Sequence, residues 1–581
     1  MCHACDEAYL GVLRRHQGGG LNRREMLGGL GVAALAGLSA SCAGWTPGAS
    51  ADRILLGRVR TLDDRAPTAE GVAIHAGKIV AVGSRDTVLR LRGAATDVVD
   101  LGRQTVLPGF VDPHMHSNFC SLRPWLDIGP FTTDSIAAAL DKLHAAAKVA
   151  KEGEWVQGKM LDPSLQAGPE LTRHVLDRIA PKVPVFILEA NGHVAYVNTP
   201  ALQAAGLTRD SVDPPQSRLV RDAEGELTGR LEEAPAFLSV VAKMPSPTQA
   251  DLVRFLRADL DDGARRGCTT LHDCGIGGVF GEEDLSLLDA VMATDPPVRY
   301  GGFLVSTHYD RWRELGLRPG ERSARFYLTG IKAWADGSNQ ARTGYQREPY
   351  LGAQTRGVLN YTPEEIESVI ARSQADGWSI GVHANGDAAI DVVLDAFAAV
   401  QARAPASRVA HRNRIEHCSL LHDEQIVRMK ELGISPSFLI GHVHYWGTAF
   451  QERLLGPKRA ELLDRCASAL AGGLKISLHS DYNVTPIDPL RCIQNAVVRD
   501  MREGGGVLNP SERITPLQAI RAMTIDAAWQ CHLDHVCGSL EVGKAADCVV
   551  LEEDPLEVAP DQIQEIPIHS TWLDGEQRFV G

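Results

Sequence analysis

Several absences narrow what this chain does. It has no run rich in Lys and Arg, and its formal net charge of −14 argues against a general nucleic-acid binder. No apolar stretch reaches the roughly 18 residues that a spanning helix needs, so no stable membrane span is expected. Aromatic residues are scarce at 6%, yet 44% hydrophobic and 23% charged residues describe an ordinary globular protein with a large core. The 12 cysteines do not form a disulfide framework. Cys2 and Cys5 make a single C-x-x-C with no second pair to complete a zinc ribbon. Past Cys42 nine cysteines remain at irregular spacing, an odd number that reads as free, buried thiols in a protein folded in the cytoplasm.

At 581 residues the chain is long enough for two or three domains. Its first segment, 1–43, reads as an export signal rather than as fold. "GLNRREMLGGLGVAALAGLSASCAG" pairs Arg23 with Arg24 ahead of a Gly/Ala/Leu-rich run over 27–40, too short to span. It resembles a twin-arginine signal, which implies the twin-arginine export machinery as partner and an extracytoplasmic or periplasmic destination. Cleavage is expected after Ser41 or Ala43. Cys42 invites a lipidated start, but Leu38 sits one position too far upstream for a good lipobox.

From about residue 250 helical and strand periods alternate every 30–40 residues, the mark of βα units and a parallel sheet. Counting a first strand at 105–112, "CTTLHDC", "VRYGGFLVS", "FYLTGIKAW", "WSIGVHAN", "RNRIEHC", "ISPSFLI" and "LKISLHSD" complete eight, the number that closes a (β/α)8 barrel. The barrel is expected over 105–537, with a long insertion at 120–245 after strand one. Such a loop usually builds the active-site face. The short β patterns at 44–104 and 538–581 are expected to form one small β-sandwich domain built from both chain ends.

The stretch "TVLPGFVDPHMHSNF", 105–119, places His114 and His116 two apart at the end of strand one, so they project together. Alone, H-x-H has a bland reading as satisfied core histidines. Other strand ends supply partners, however. "GIKAWADGS" puts Lys332 inside an apolar strand, where an uncompensated ammonium is expensive. His383 ends "GVHAN", His417 ends "RIEH" and Asp481 ends "LHSD". A snorkelling lysine or a capping aspartate explains one of these, but not all at the ends of strands 1, 4, 5, 6 and 8.

This order resembles the amidohydrolase superfamily, and within it the subgroup of N-substituted formamide deformylases and YtcJ-like hydrolases. "LPGFVDPHMH", "GIKAWADGS", "VHANGDAAI", "IEHCSL" and "TIDAAWQCHLDHVCGSLEVGKAADCVVL" match that subgroup's motifs in order, as does "NGHVAYVNTPAL" in the insertion. The resemblance implies that His114, His116, His383, His417 and Asp481 ligate divalent metal, one or two ions, with Lys332 carrying a bridging carbamate. Imidazole and carboxylate donors favour zinc, with manganese, iron, cobalt and nickel also compatible. Such a centre polarises a carbonyl and holds a hydroxide whose proton Asp481 accepts and returns to the departing amine. His193 is implied to reach the substrate from above.

His272, Asp273, Asp336 and Asp387 read as residues that brace ligands, close the barrel or cap helices. "NQARTGYQREPY", "FLIGHVHYWGTAF" and "DYNVTP" depart from the subgroup's wording, and there His442, His444, Tyr445 and Trp446 suggest an apolar pocket with polar tips. The expected activity is hydrolysis of a non-peptide carbon–nitrogen bond, an amide, in a small molecule. The alternatives are a lactonase, deaminase or isomerase on the same barrel, or a catalytically inactive binding protein. A homodimer is left open.

Overall fold

The computed structural model describes residues 50–581 except 191, 193, 215, 216, 233 and 405–410. The export segment with Arg23, Arg24 and Cys42 lies outside the described residues, as does His193 in the insertion. Among the described residues no helix is long and apolar enough to cross a membrane.

The central sheet carries eight parallel strands: β1 (Phe110–Met115), β2 (Cys268–Ile276), β3 (Arg299–Val305), β4 (Phe326–Trp334), β5 (Ser379–Ala384), β6 (Arg414–His417), β7 (Ser435–Phe438) and β8 (Ser477–Leu478). Neighbours in this order are hydrogen-bonded in register, from Leu271 opposite Asp112 to Phe438 opposite Leu478. The ring closes beyond β8, where Asp481 N–H donates to the His114 carbonyl at 3.0 Å and His116 N–H to the Tyr482 carbonyl at 2.5 Å. Every residue of β2 and of β3 is buried, as expected of parallel strands covered on both faces. Helices capped by their own sequence do the covering. Thr248 and Asp251 form a reciprocal capping box on Gln249–Arg265, and Thr362 and Glu365 do so on Pro363–Ala375.

Both chain ends build one further sheet of seven strands, in which Arg92–Pro108 lies between Ala51–Arg60 and Cys548–Leu551. Consecutive residues there bury to opposite sides: Leu55 joins one apolar cluster, Ile54 and Leu56 another. Residues 105–108 belong to this sheet and not to the first barrel strand, pairing with Cys548–Leu551. The crossover falls at Gly109, where a Cβ would overlap the Thr269 side chain. Only glycine passes so close.

The insertion has a six-stranded sheet of its own, running from Arg218–Arg221 at one edge to Leu126–Asp127 at the other, with apolar clusters on each face. It docks on the barrel through Arg123, paired with Asp259 and Asp262, and through Phe131 against Tyr445 at 4.2 Å between ring centres.

At the opposite end of the barrel, Arg299 opens β3 and donates to Asp547 at 3.0 Å and Asp574 at 2.8 Å on the terminal sheet. Arg299 and Asp547 are both buried. Removing one partner of such a pair strands the other charge. Arg299→Ala is therefore expected to destabilise the fold by about 3–5 kcal/mol, read as a lower urea midpoint of unfolding. An unchanged midpoint would refute the tie.

Candidate metal centre

The C-terminal ends of β1, β4, β5, β6 and β8 converge. His114, at 0% exposure, donates from Nδ1 to Glu416 Oε2 at 2.6 Å. A carboxylate only accepts, so the proton sits on Nδ1 and Nε2 carries the lone pair. That lone pair faces Lys332 Nζ at 3.2 Å and Asp481 Oδ1 at 3.4 Å. His116 brings Nε2 to 3.3 Å from the same Asp481 oxygen. His114, His116 and Asp481 each offer one ligand atom, and these lie within 4.8 Å of one another.

Across the mouth, His383 and His417 stand with ring centres 4.5 Å apart. His383 Nε2 donates to the Gly337 carbonyl at 3.0 Å, leaving Nδ1 as its lone pair. His417 and Asp481 leave their strands with φ of 64° and 52°, left-handed values that few non-glycine residues adopt. These turns swing both side chains inward, and strain of this sort collects at functional sites. His417 Nδ1 comes to 3.9 Å from Asp481 Oδ2.

Lys332 is fully buried, forms no ion pair among the described residues, and lies 5.4 Å from the Trp334 ring centre. Burial holds His383 down to about 3 and depresses His114 well below an ordinary imidazole. Burial and its neighbouring histidines depress His417 likewise. Neutral imidazoles keep their lone pairs for coordination. Burial pushes Asp481 upward, but the His116 imidazole beside it outweighs this and holds its carboxyl below the usual carboxylate range, ionised.

A divalent ion fits this donor set. His417 Nδ1 and Asp481 Oδ1 are buried and have no hydrogen-bond partner among the described residues, an arrangement that costs free energy unless a further partner, such as a bound ion, is present. Borderline nitrogen and hard oxygen donors suit zinc and its first-row neighbours.

The surroundings fix the ligands. Arg414, fully buried, pairs with Glu416 Oε1 at 2.6 Å and donates to the Pro113 carbonyl at 2.9 Å. Asp112 accepts from Ser480 Oγ at 2.5 Å and from His114 N–H at 3.3 Å, and burial raises it to about 7. Asp273 accepts from Ser117 and Tyr300 hydroxyls, both at 2.8 Å. His272 lies deeper, against Thr329 Oγ1 at 2.6 Å. Asp336 accepts from the backbone of Asn385, Gly386 and Tyr345, so it braces the loop behind His383. Asp387 begins the helix Asp387–Arg403 and accepts from Arg347 N–H at 2.7 Å.

The four pocket candidates fall on the helix Gly441–Ala449. His442 lies beside Ser419 and Asp464, and His444 beside Asp500, both buried in the frame. Tyr445 and Trp446 meet Phe131 of the insertion, and Trp446 Nε1 donates to Asp162 at 3.2 Å. The two rings thus join barrel to insertion, while the two histidines do not reach the ligand cluster.

Glu416 and His479 are central to this geometry and were not among the residues singled out from sequence. Both signals were present: Glu416 directly precedes His417, and His479 stands two before Asp481, the spacing that made His114 and His116 a pair.

A family model described as the amidohydrolase family matches residues 97–579. The chain belongs to the amidohydrolase family. It is a metal-dependent hydrolase acting on carbon–nitrogen bonds other than peptide bonds. This amidohydrolase is 28% identical over 542 residues to the N-substituted formamide deformylase of Arthrobacter pascens, covering 90% of this chain and 98% of that one. It is 28% identical over 534 residues to the putative amidohydrolase YtcJ of Bacillus subtilis, with the same coverage of 90% and 98%. An uncharacterized metal-dependent hydrolase of Pyrococcus furiosus has the same fold, with a TM-score of 0.70 and 26% identity over 87% of this chain and 100% of that one.

Glu416 is the carboxylate that accepts from His114 Nδ1–H and so orients its ring. Glu416→Gln is expected to weaken metal binding by about 10–100-fold, the usual effect of losing a partner that orients a ligand. Chelator competition on the purified amidohydrolase measures it, and parental affinity would count against the role.

Proposed function

We propose that this amidohydrolase hydrolyses the amide bond of a small N-acyl compound, with Asp481 carrying the proton. The observation behind this is the placing of Asp481: its Oδ1 has no hydrogen-bond partner among the described residues and stands 3.4 and 3.3 Å from the ring nitrogens of His114 and His116, at the mouth of the barrel. A carboxylate held ionised there can take a proton from an attacking water and return it to the departing nitrogen, giving an acid and an amine. Divalent ions, zinc by donor chemistry, would be held by His114, His116, His383, His417 and Lys332 as its carbamate, and would supply Lewis acidity toward the carbonyl oxygen. The deformylase relative supports an N-substituted amide as substrate class. Tyr445, Trp446 and Phe131 would give the pocket its apolar wall.

Asn in place of Asp481 keeps the size and one oxygen but does not take up a proton at neutral pH. Proton transfer by a positioned group contributes about 10²–10⁴-fold, so Asp481→Asn is expected to lower kcat by that order while most metal stays bound. Near-parental turnover on a formamide or N-acyl amine that the parent cleaves would exclude the proton-carrying role.

The same reading places the enzyme outside the cytoplasm after folding within it. All nine cysteines among the described residues are free and buried, as suits a chain folded under reducing conditions before export. Changing Arg23 and Arg24 both to Lys is expected to retain the enzyme, folded and active, in the cytoplasm. Cell fractionation reads this out, and export of the Lys-Lys form would sink the twin-arginine assignment.

A further inference from the structure

One buried side chain at the centre has no part in the proton transfer just described. His479 follows β8 directly, is fully buried, and neither of its ring nitrogens has a hydrogen-bond partner among the described residues. Every imidazole carries at least one N–H donor, and leaving a buried polar group unsatisfied costs about 1–3 kcal/mol. The ring is packed among other histidines. It stacks on His114, with ring centres 4.5 Å apart and planes within 13°, and stands 5.2 Å from His417 at a tilt of 59°. Asp481, two residues on, shares its approach to the mouth.

We propose that His479 is a further nitrogen donor of the metal centre, on the ion that His417 addresses and not on that of His114. The inference rests on the metal-dependent reading of the site. Imidazole lone pairs lie in the ring plane. Two rings within 13° of parallel and 4.5 Å apart send their lone pairs along nearly parallel planes. Such lone pairs do not meet at one ion about 2.0–2.1 Å from each nitrogen. The 59° tilt toward His417 does permit convergence. A stacked pair with one ring for each ion suits a centre whose two ions are about 3.5–4 Å apart. Glu416 does not compete for the role, although one of its oxygens lies within 4.8 Å of the His114 and His479 nitrogens. One of its oxygens accepts from His114 Nδ1–H, and the other is held in a buried ion pair with Arg414 at 2.6 Å.

His479→Phe tests this, because the phenyl ring keeps the stack on His114 and removes both nitrogens. Parent and variant are loaded with zinc and titrated with a chromophoric chelator, and the cobalt-substituted forms are compared by visible absorption. The expected result is one ion held at parental affinity and one held at least about tenfold more weakly, with a changed cobalt spectrum. Parental affinity for both ions with an unchanged spectrum would overturn the proposal. Should circular dichroism show that the Phe variant does not fold, His479→Leu is judged by the same two readouts. A parent chain that retains no divalent ion from either metal would instead overturn the metal-dependent reading, and the proposal with it.

Discussion

An amine enclosed in the mouth of a β-barrel, with imidazole rings for neighbours and no paired carboxylate among the described residues, is the constraint on which the rest of the site depends. Lys332 is at 0% exposure and its Nζ lies 3.2 Å from the lone-pair nitrogen of His114. A bare ammonium there would be paired with nothing of opposite charge, and burying an unpaired charge is far costlier than burying a neutral polar group. The carbamate proposed above would resolve this by turning the amine into an anionic ligand for cations. The same logic runs outward. His114 needs Glu416 to set its tautomer, Glu416 needs Arg414 to be buried at all, and Arg414 is held by the Pro113 carbonyl on the strand that carries His114. The loop closes on itself, so each costly group is compensated by the next.

The frame serves this ring of contacts. Closure of the barrel is made by hydrogen bonds between the His114–His116 backbone and Asp481–Tyr482, so the step that completes the sheet also sets the distance between the first and last ligands. The terminal sheet anchors the far end through Arg299, Asp547 and Asp574. The insertion covers one side of the mouth through Phe131, Asp162 and the Tyr445–Trp446 pair.

Much of this was legible in the residues because parallel barrel strands are buried on both faces and end where chemistry is done. A histidine or lysine in such a run stands out against its apolar neighbours, which is how His114, Lys332, His383 and His417 were found. Other features carry a weaker signal. Glu416 stands beside His417 on the same strand, and strand alternation alone assigns it to the opposite face; the left-handed backbone at His417 breaks that alternation and puts both residues to use. For His479 the signal is only its spacing of two from Asp481, and that spacing is weak because β8 is only Ser477–Leu478 and both residues lie beyond it, not on the long strand that "LKISLHSD" suggests. The start of the barrel was misplaced by a few residues because 105–108 and 110–115 are one apolar run, and only the steric demand at Gly109 divides them. His442 and His444 have the residue types of a pocket, but helix geometry points them into the protein frame.

The central claim is that the Lys332 amine is buried because it is converted to a carbamate that bridges divalent ions. Carbon-13 NMR of the enzyme reconstituted with metal and labelled bicarbonate tests it most directly, with metal content measured on the same sample. The account predicts one protein-bound carbamate signal per chain, accompanied by bound divalent metal and absent from Lys332→Arg, which keeps the positive charge but takes up no carbon dioxide. A metal-loaded, active parent with no such signal would contradict it.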